Sequence, residues 1–176
     1  MVTSNEPGFA PALASESLPV YGGGYMDNVS FNALVTTPLL AGLTTPAFEL
    51  LAAEGEVRSF PVGEFIVREG QPGHSFFIVV EGDVDVVKTN NLGHVIPLAL
   101  LKTGDFFGEM SVVDPVPRTA SVRVLSAVKA VEIRAATLHH LFQKLPDQYA
   151  ILILNLARDL ARRLRSLDET YAAKAG

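Results

Sequence analysis

The sequence predicts a mainly β fold flanked by helices, and three observations support this prediction. Between about Glu56 and Arg134, the chain consists of short apolar segments separated by Gly, Pro, Asn and Asp, the residues that turns require. Before this region, two Thr-Pro steps predict short helices. After it, apolar residues recur at steps of three or four, as on one face of a long helix. This order favours a β-sandwich or β-barrel with helices at both ends.

The composition restricts the kind of protein that this chain can be. With 176 residues, 48% of them hydrophobic, it is long enough for one domain with a buried core. Its formal net charge of −5 argues against a general nucleic-acid binder. Because cysteine is absent, disulfides, thiolate metal sites and a cysteine nucleophile are excluded. The N-terminus lacks a secretory signal pattern, and no apolar run reaches the roughly 18 residues that span a bilayer. We therefore expect a soluble, cytoplasmic protein.

Changes in composition divide the chain into three parts. Residues 1–28 are rich in Ala, Pro, Ser and Gly and are predicted to form a flexible tail. Residues 29–145 hold the β region and the N-terminal helices, which are expected to start at Pro38 and Pro46, each behind a Thr N-cap. Residues 146–172 are predicted to form one long helix. Its apolar stripe consists of Tyr149, Ile153, Leu156, Leu160, Leu164, Leu167 and Tyr171. Packing on the chain's own β region and pairing with a partner or second subunit explain this stripe equally well. A less favoured alternative is an arginine-rich face for nucleic acid or lipid, formed by the residues off the stripe: Arg158, Arg162, Arg163 and Arg165.

Glycines mark the predicted corners between strands. Positive φ angles, which glycine adopts without steric cost, are typical of such turns. We expect these angles at Gly63, Gly70, Gly73, Gly82, Gly93 and Gly104.

The segment FFGEMSVVDPVPRTASV, residues 106–122, carries the candidate site. Gly108 lets the backbone approach a ligand, and a helical turn that starts at Glu109 would direct its first amides toward an anion. Arg118 can offer two parallel N–H donors to a phosphate, while Glu109 can accept a hydrogen bond from a hydroxyl. Together these groups describe a nucleotide pocket. The alternative is a simple ion pair between Glu109 and Arg118 across a loop.

This segment resembles the phosphate-binding cassette of the cyclic nucleotide-binding domain family, which includes catabolite activators and regulatory subunits of the cyclic AMP-dependent kinase. The matching residues are Phe107-Gly108-Glu109-Met110-Ser111 and Pro117-Arg118-Thr119-Ala120. The upstream segment GEFIVREGQPGHSFFIVVEGDVDV is also similar, so the resemblance covers roughly residues 31–168. It implies an eight-stranded, jelly-roll-like β-roll with N-terminal helices and two C-terminal helices.

The resemblance also implies the role of each site residue. It assigns the ribose 2′-hydroxyl to Glu109 and the cyclic phosphate to Arg118. Amides around Gly108, Met110 and Ser111 and near Thr119 would complete the phosphate cradle. The ligand would be cyclic AMP or, less favoured, cyclic GMP, whose guanine amino group a Thr at position 119 can bond; no other cofactor and no metal is expected. Phe106, Phe107 and Met110 are expected to serve as core and hinge residues rather than purine contacts.

The function that the resemblance implies is that of a non-enzymatic sensor. It would signal by moving its C-terminal helices toward a protein partner or a second copy of the chain, without binding nucleic acid or membrane itself. One alternative is a protein-interaction module with a vestigial pocket. Another is a fragment of a CRP/FNR-like transcription regulator that lacks its DNA-binding domain.

A cupin-like metalloenzyme would share the β-roll. Such an enzyme needs two or three convergent histidines with a carboxylate. The four histidines do not fit this requirement, because His74 and His94 lie alone near turns and His139 and His140 are neighbours on a helix.

Overall fold

The structure is a computed structural model that describes residues 28–174. Eight strands form two antiparallel four-stranded sheets, with helices flanking them, so the predicted mainly β fold and the jelly-roll-like β-roll are confirmed. The predicted tail, residues 1–28, lies outside the described residues except for Asn28, where the first helix begins. Within residues 28–174, no helix is long and apolar enough to cross a lipid bilayer.

The strands are β1 (Glu56–Phe60), β2 (Phe65–Val67), β3 (Ser75–Glu81), β4 (Val84–Thr89), β5 (Val95–Leu101), β6 (Phe106–Phe107), β7 (Ser121–Val124) and β8 (Val128–Arg134). The two sheets have the strand orders β1-β8-β3-β6 and β2-β7-β4-β5. The helices are α1 (Asn28–Thr36), α2 (Thr45–Glu54), α3 (Met110–Val113), α4 (Ala135–Lys144) and α5 (Pro146–Lys174), with a 3₁₀ helix at Pro38–Leu40.

Strand β3 separates two hydrophobic cores. Its side chains alternate between the two faces of the sheet, and Phe77 and Val79 point into the roll between the two sheets. Phe76, Ile78 and Val80 belong to a second core beneath α1, α2, α4 and α5. Because both faces are buried, the strand is a continuous apolar run in the sequence.

The N-terminal helices begin close to the predicted positions. The 3₁₀ helix follows Thr37 as expected, but the N-cap of α2 is Thr44 rather than Thr45. Neither Thr37 nor Thr44 makes a side-chain cap hydrogen bond. The Thr37 hydroxyl instead donates to the carbonyl of Gly104 at 2.8 Å, and this bond ties the helical layer to the loop before β6.

Helix α5 is buried in its first half and exposed in its second half. Leu152 and Leu156 are buried, and the Asn155 amide donates to the carbonyls of Leu39 and Ala41 at 3.1 and 2.7 Å. Three later residues of the apolar stripe are exposed: Leu164 by 59%, Leu167 by 60% and Tyr171 by 78%. Packing on the chain's own core therefore explains the first half of the stripe only.

Candidate functional site

The six candidate residues lie around one small cavity. Gly108, Glu109, Met110, Ser111, Arg118 and Thr119 all line it. Val67 of β2 and Val122 of β7 contribute the wall from the roll, and Arg163 of α5 lines the cavity as well. The cavity volume is about 80 Å³.

The segment from β6 to α3 is held between the two cores. Phe106 packs into the core beneath the helices, whereas Phe107 points into the roll and stacks on Phe77 with ring centroids 5.2 Å apart. Gly108 follows with a φ of +85°, which favours glycine. An added Cβ would lie 2.6 Å from Nη1 of Arg118. Both the backbone and the available space therefore require glycine at position 108.

The Arg118 side chain is buried and oriented by hydrogen bonds. Its Nη1 donates to the carbonyls of Ser75 and Gly108 at 2.7 and 2.8 Å, and Nη2 contacts Ser75 Oγ at 3.3 Å. Burial lowers the pKa of Arg118, and the charges of Glu132 and Glu109 counteract this shift. Guanidinium has five N–H donors. Among the described residues, no partner is found for Nε–H or for a second Nη2–H.

Gly73 belongs to the site for a reason that the sequence did not reveal. The positive φ predicted for it is wrong, although Gly63, Gly70, Gly82, Gly93 and Gly104 do adopt one. An added Cβ at Gly73 would lie 2.6 Å from Nε of Arg118 and 2.8 Å from the Cβ of Ser111. Glycine at position 73 therefore makes room for the guanidinium.

Glu109 is a buried carboxylate that pairs with α5 rather than with Arg118. It is only 5% exposed, and its Oε1 lies 3.5 Å from Nη1 of Arg163. Burial raises the pKa of Glu109 above its ordinary value. The positive charges of Arg163 and Arg118 and the amide of Glu109 itself lower this pKa, while nearby Asp159 raises it. A carboxylate in these surroundings gains from any further hydrogen-bond donor.

Helix α3 begins immediately after Glu109. The amides of Val112 and Val113 donate to the Glu109 carbonyl, so the amides of Met110 and Ser111 precede the first hydrogen bond of the turn. Ser111 is buried, whereas Met110 is 47% exposed. The predicted core role is therefore wrong for Met110, although Phe106 and Phe107 are both buried.

Thr119 lies at the exposed rim of the cavity. Its hydroxyl contacts Met110 Sδ at 3.5 Å, and its carbonyl accepts a hydrogen bond from Lys88 Nζ at 2.7 Å. The strong contact of Thr119 is thus made by the backbone, while the hydroxyl has only a weak sulfur partner.

The site combines a buried carboxylate, helical amides and a guanidinium, two of whose N–H donors have no partner in residues 28–174, in one segment. The family model for the cyclic nucleotide-binding domain matches residues 57–145, just over half of the chain. This chain belongs to the cyclic nucleotide-binding domain family. The match includes β1 to β8, the cassette and α4.

Relatives of this cyclic nucleotide-binding domain include regulatory proteins from bacteria and fungi. The CRP-like cAMP-activated global transcriptional regulator of Mycobacterium tuberculosis is 30% identical over 139 residues, which are 79% of this chain and 60% of that protein. The cAMP-dependent protein kinase regulatory subunit of Mycosarcoma maydis is 32% identical over 105 residues, which are 60% of this chain and 20% of that protein. The chain thus spans less than two thirds of both relatives, and both are regulators by name.

A solved structure supports the same assignment. The crystal structure of Thermus thermophilus Catabolite Activator Protein matches with a TM-score of 0.69 at 31% sequence identity. The match covers 79% of this chain and 63% of that one.

Within this cyclic nucleotide-binding domain, the residues that sequence reasoning missed are Arg163 and Asp159. Arg163 lies off the apolar stripe of the long helix, yet its Nη2 donates to the Phe106 carbonyl at 3.0 Å. Its Cζ lies 4.9 Å from the Phe106 ring centroid, and Nε lies 2.6 Å from Asp159 Oδ2. The i,i+4 spacing of Asp159 and Arg163 signals an ion pair. No local pattern links Arg163 to Glu109, which lies 54 positions earlier.

Proposed function

We propose that this domain is a non-enzymatic sensor that binds a cyclic nucleotide between Arg118 and Glu109. The observation that carries the proposal is a buried guanidinium with two N–H donors that have no partner among the described residues, lining the same cavity as a buried carboxylate. Two parallel N–H donors match two phosphate oxygens. A carboxylate accepts from a ribose hydroxyl. The Met110 and Ser111 amides extend the phosphate side of the cradle.

Cyclic AMP is the proposed ligand, and cyclic GMP is the weaker candidate. Both curated relatives described above are named for cAMP, and this supports the choice of adenine. The Thr119 hydroxyl at the rim could bond a guanine amino group, so binding of cyclic GMP with lower affinity fits the site as well. A cytoplasmic location, without direct contact to nucleic acid or membrane, completes the proposal.

Calorimetric titration of the purified chain with cyclic AMP and cyclic GMP tests this function. We expect saturable heat with both, a smaller Kd for cyclic AMP, and no measurable heat with the open-chain nucleotide 5′-AMP. A ligand that binds only the folded state stabilises it, by about 2.7 kcal/mol at a concentration of 100 Kd. The melting temperature should rise accordingly. The absence of heat with both cyclic nucleotides, together with a preparation free of co-purified nucleotide, would contradict the proposal.

The output of the sensor is proposed to pass through the exposed half of α5 to a second copy of the chain. Leu160, Leu164, Leu167 and Tyr171 are spaced by four, three and four residues, which is the d, a, d, a pattern of a two-stranded coiled coil. In this register Arg163 is a g position and Asp168 the following e position. In a parallel pair these two positions meet between helices, so their opposite charges favour pairing of the chain with itself.

Sedimentation of wild type and a Leu167→Glu variant tests this interface. We expect the wild type to dimerise, and the variant should weaken the dimer by about 100-fold or more, because each copy loses an apolar contact that contributes roughly 1.5–3 kcal/mol. The melting temperature of the monomer should not change, since Leu167 is exposed. Arg165→Glu, at an exposed position outside the stripe, is the matched control. A wild type that stays monomeric at high micromolar concentration would point to a different protein partner.

A further inference from the structure

The pairing of β4 with β7 stops short of the cassette. Strand β7 is paired with β4 as far as Ser121, and the same register would next place Thr89 opposite Thr119. Every second pair of an antiparallel ladder is hydrogen-bonded, and the bond from the Leu125 amide to the Asp83 carbonyl puts Thr89 and Thr119 in this series. The Thr89 amide and the Thr119 carbonyl would therefore bond each other if the ladder continued.

Two side chains occupy the place of that missing bond. Lys88 Nζ donates to the Thr119 carbonyl at 2.7 Å, and Glu69 Oε2 accepts from the Thr89 amide at 3.3 Å. Lys88 and Glu69 also pair with each other, with Nζ 2.7 Å from Oε1. The hydrogen bonds from Lys88 and from the Thr89 amide lower the pKa of Glu69, which favours its charged form. This ion pair, called the Lys88–Glu69 clamp below, thus satisfies both backbone groups without extending the sheet to Thr119.

The segment that the clamp holds carries the phosphate donors of the proposed site. The Gly70 amide donates to the Arg118 carbonyl, and the Arg118 amide donates to the Gln71 carbonyl, both at 2.8 Å. The next carbonyl, that of Thr119, is bound by Lys88 instead. Arg118 and Thr119 both line the nucleotide cavity, so a shift of their backbone toward β4 would displace the guanidinium and the Thr119 amide together.

We propose that the Lys88–Glu69 clamp positions Arg118 and Thr119 for the cyclic nucleotide by holding Thr119 out of the β4–β7 ladder. Neither Lys88 nor Glu69 belongs to the described residues that line the cavity, so both act as positioning residues. This inference rests on the proposed function and adds two residues to the machinery that holds the ligand.

Cyclic AMP titrations of wild type, Lys88→Met and Glu69→Ala distinguish the clamp from a simple charge effect. Lys88→Met removes the donor to Thr119, so its Kd should rise roughly 3- to 10-fold. Glu69→Ala removes the group that holds Lys88 and the acceptor of the Thr89 amide, so its Kd should also rise, by roughly 2- to 5-fold. If Lys88 acted only by attracting the anionic ligand, Glu69→Ala would lower the Kd, because it removes a nearby negative charge.

The binding kinetics supply a measurement that a purely structural role would not move. In stopped-flow experiments with a fluorescent cyclic AMP analogue, both clamp variants should release the ligand faster than wild type. Attraction by a surface charge would instead slow association, and salt would reduce that difference. Melting curves without nucleotide should stay close to wild type, since the side chains of Lys88 and Glu69 are 48% and 33% exposed.

Lys129→Met is the matched control. Lys129 lies on β8 in the other sheet, with its Nζ 3.7 Å from Glu81 Oε2, so the substitution removes a lysine of the same charge from a surface ion pair away from β4 and β7. Its Kd should stay within about twofold of wild type.

Three results would overturn the clamp and leave the proposed function standing. They are an unchanged or lower Kd for Glu69→Ala, a Kd of Lys88→Met no higher than that of the Lys129→Met control, and a loss of affinity that lies only in the association rate. Failure of wild type to bind any cyclic nucleotide would instead overturn the proposed function, and the clamp with it.

Discussion

Replacing Arg118 with alanine is expected to abolish cyclic nucleotide binding, with a loss in affinity of about 100-fold or more. Two charge-assisted hydrogen bonds to the phosphate each contribute roughly 1.5–3 kcal/mol, and a factor of ten in affinity corresponds to 1.4 kcal/mol. Arg118→Lys should lie between wild type and alanine, because an ammonium group keeps the charge but cannot form the parallel pair. Calorimetry and the ligand-induced rise in melting temperature measure both effects.

The same substitution should lower the melting temperature without ligand. Arg118 satisfies the carbonyls of Ser75 and Gly108, and a buried polar group left without a partner costs about 1–3 kcal/mol. Circular dichroism therefore has to show that the variant is folded before a loss of binding is interpreted. Arg123→Ala is the matched control, since Arg123 lies on neighbouring β7 and pairs with Asp85 at 2.6 Å, outside the cavity. Binding by Arg118→Ala within about tenfold of wild type would show that the phosphate is held elsewhere.

Local patterns made most of the fold predictable. Turn residues between β-branched runs mark β1 to β5, β7 and β8, because each signal depends on neighbours in the chain. Pro146 likewise predicts the start of α5, because proline is favoured at the first position of a helix. Strand β6 is only two residues long, and no periodicity can reveal a strand of that length. Only the family resemblance, which implies eight strands, predicted it.

Features that depend on distant contacts escaped prediction. A turn glycine and a glycine that makes room for a guanidinium look alike in sequence, so the reason for Gly73 became visible only beside Arg118. The apolar run of β5 would fit a buried strand, yet it lies at the edge of its sheet and six of its seven residues are exposed. Arg163 shared its local pattern with its arginine neighbours, and only the path of α5 across the cassette distinguishes it.

Replacing Glu109 with glutamine is expected to raise the melting temperature of the nucleotide-free protein and to weaken the binding of cyclic AMP. Without nucleotide, Glu109→Gln should melt at a higher temperature than wild type near neutral pH, because burial disfavours the carboxylate and raises its pKa, while a neutral amide avoids that desolvation. Cyclic AMP should bind roughly 10-fold more weakly, since a hydrogen bond to a charged acceptor exceeds a neutral one by about 1 kcal/mol or more.

The pH dependence of the melting temperature gives this prediction a defined sign. A carboxyl group whose pKa is raised by folding binds its proton more tightly in the folded state. Its contribution to stability is fully present below the unfolded pKa, ordinarily 4.5, and is lost as the pH rises through the folded value. The advantage of Glu109→Gln over wild type should therefore grow with pH across this window.

Glu132→Gln is the control with the opposite sign. Burial raises the pKa of Glu132. Hydrogen bonds from Ser75 and Arg58, together with the charges of Arg58 and Arg134, lower this pKa by more than burial raises it, so the net shift is downward. Its carboxylate stabilises the fold above the unfolded pKa, and this contribution is lost as the pH falls through the folded value. Glu132→Gln should therefore destabilise the protein near neutral pH. If Glu109→Gln also lowered the melting temperature near neutral pH, this would show that the Glu109 carboxylate stabilises the fold as a partner of Arg163. A higher melting temperature combined with weaker nucleotide binding is instead the result expected of a carboxylate kept buried to receive a ligand.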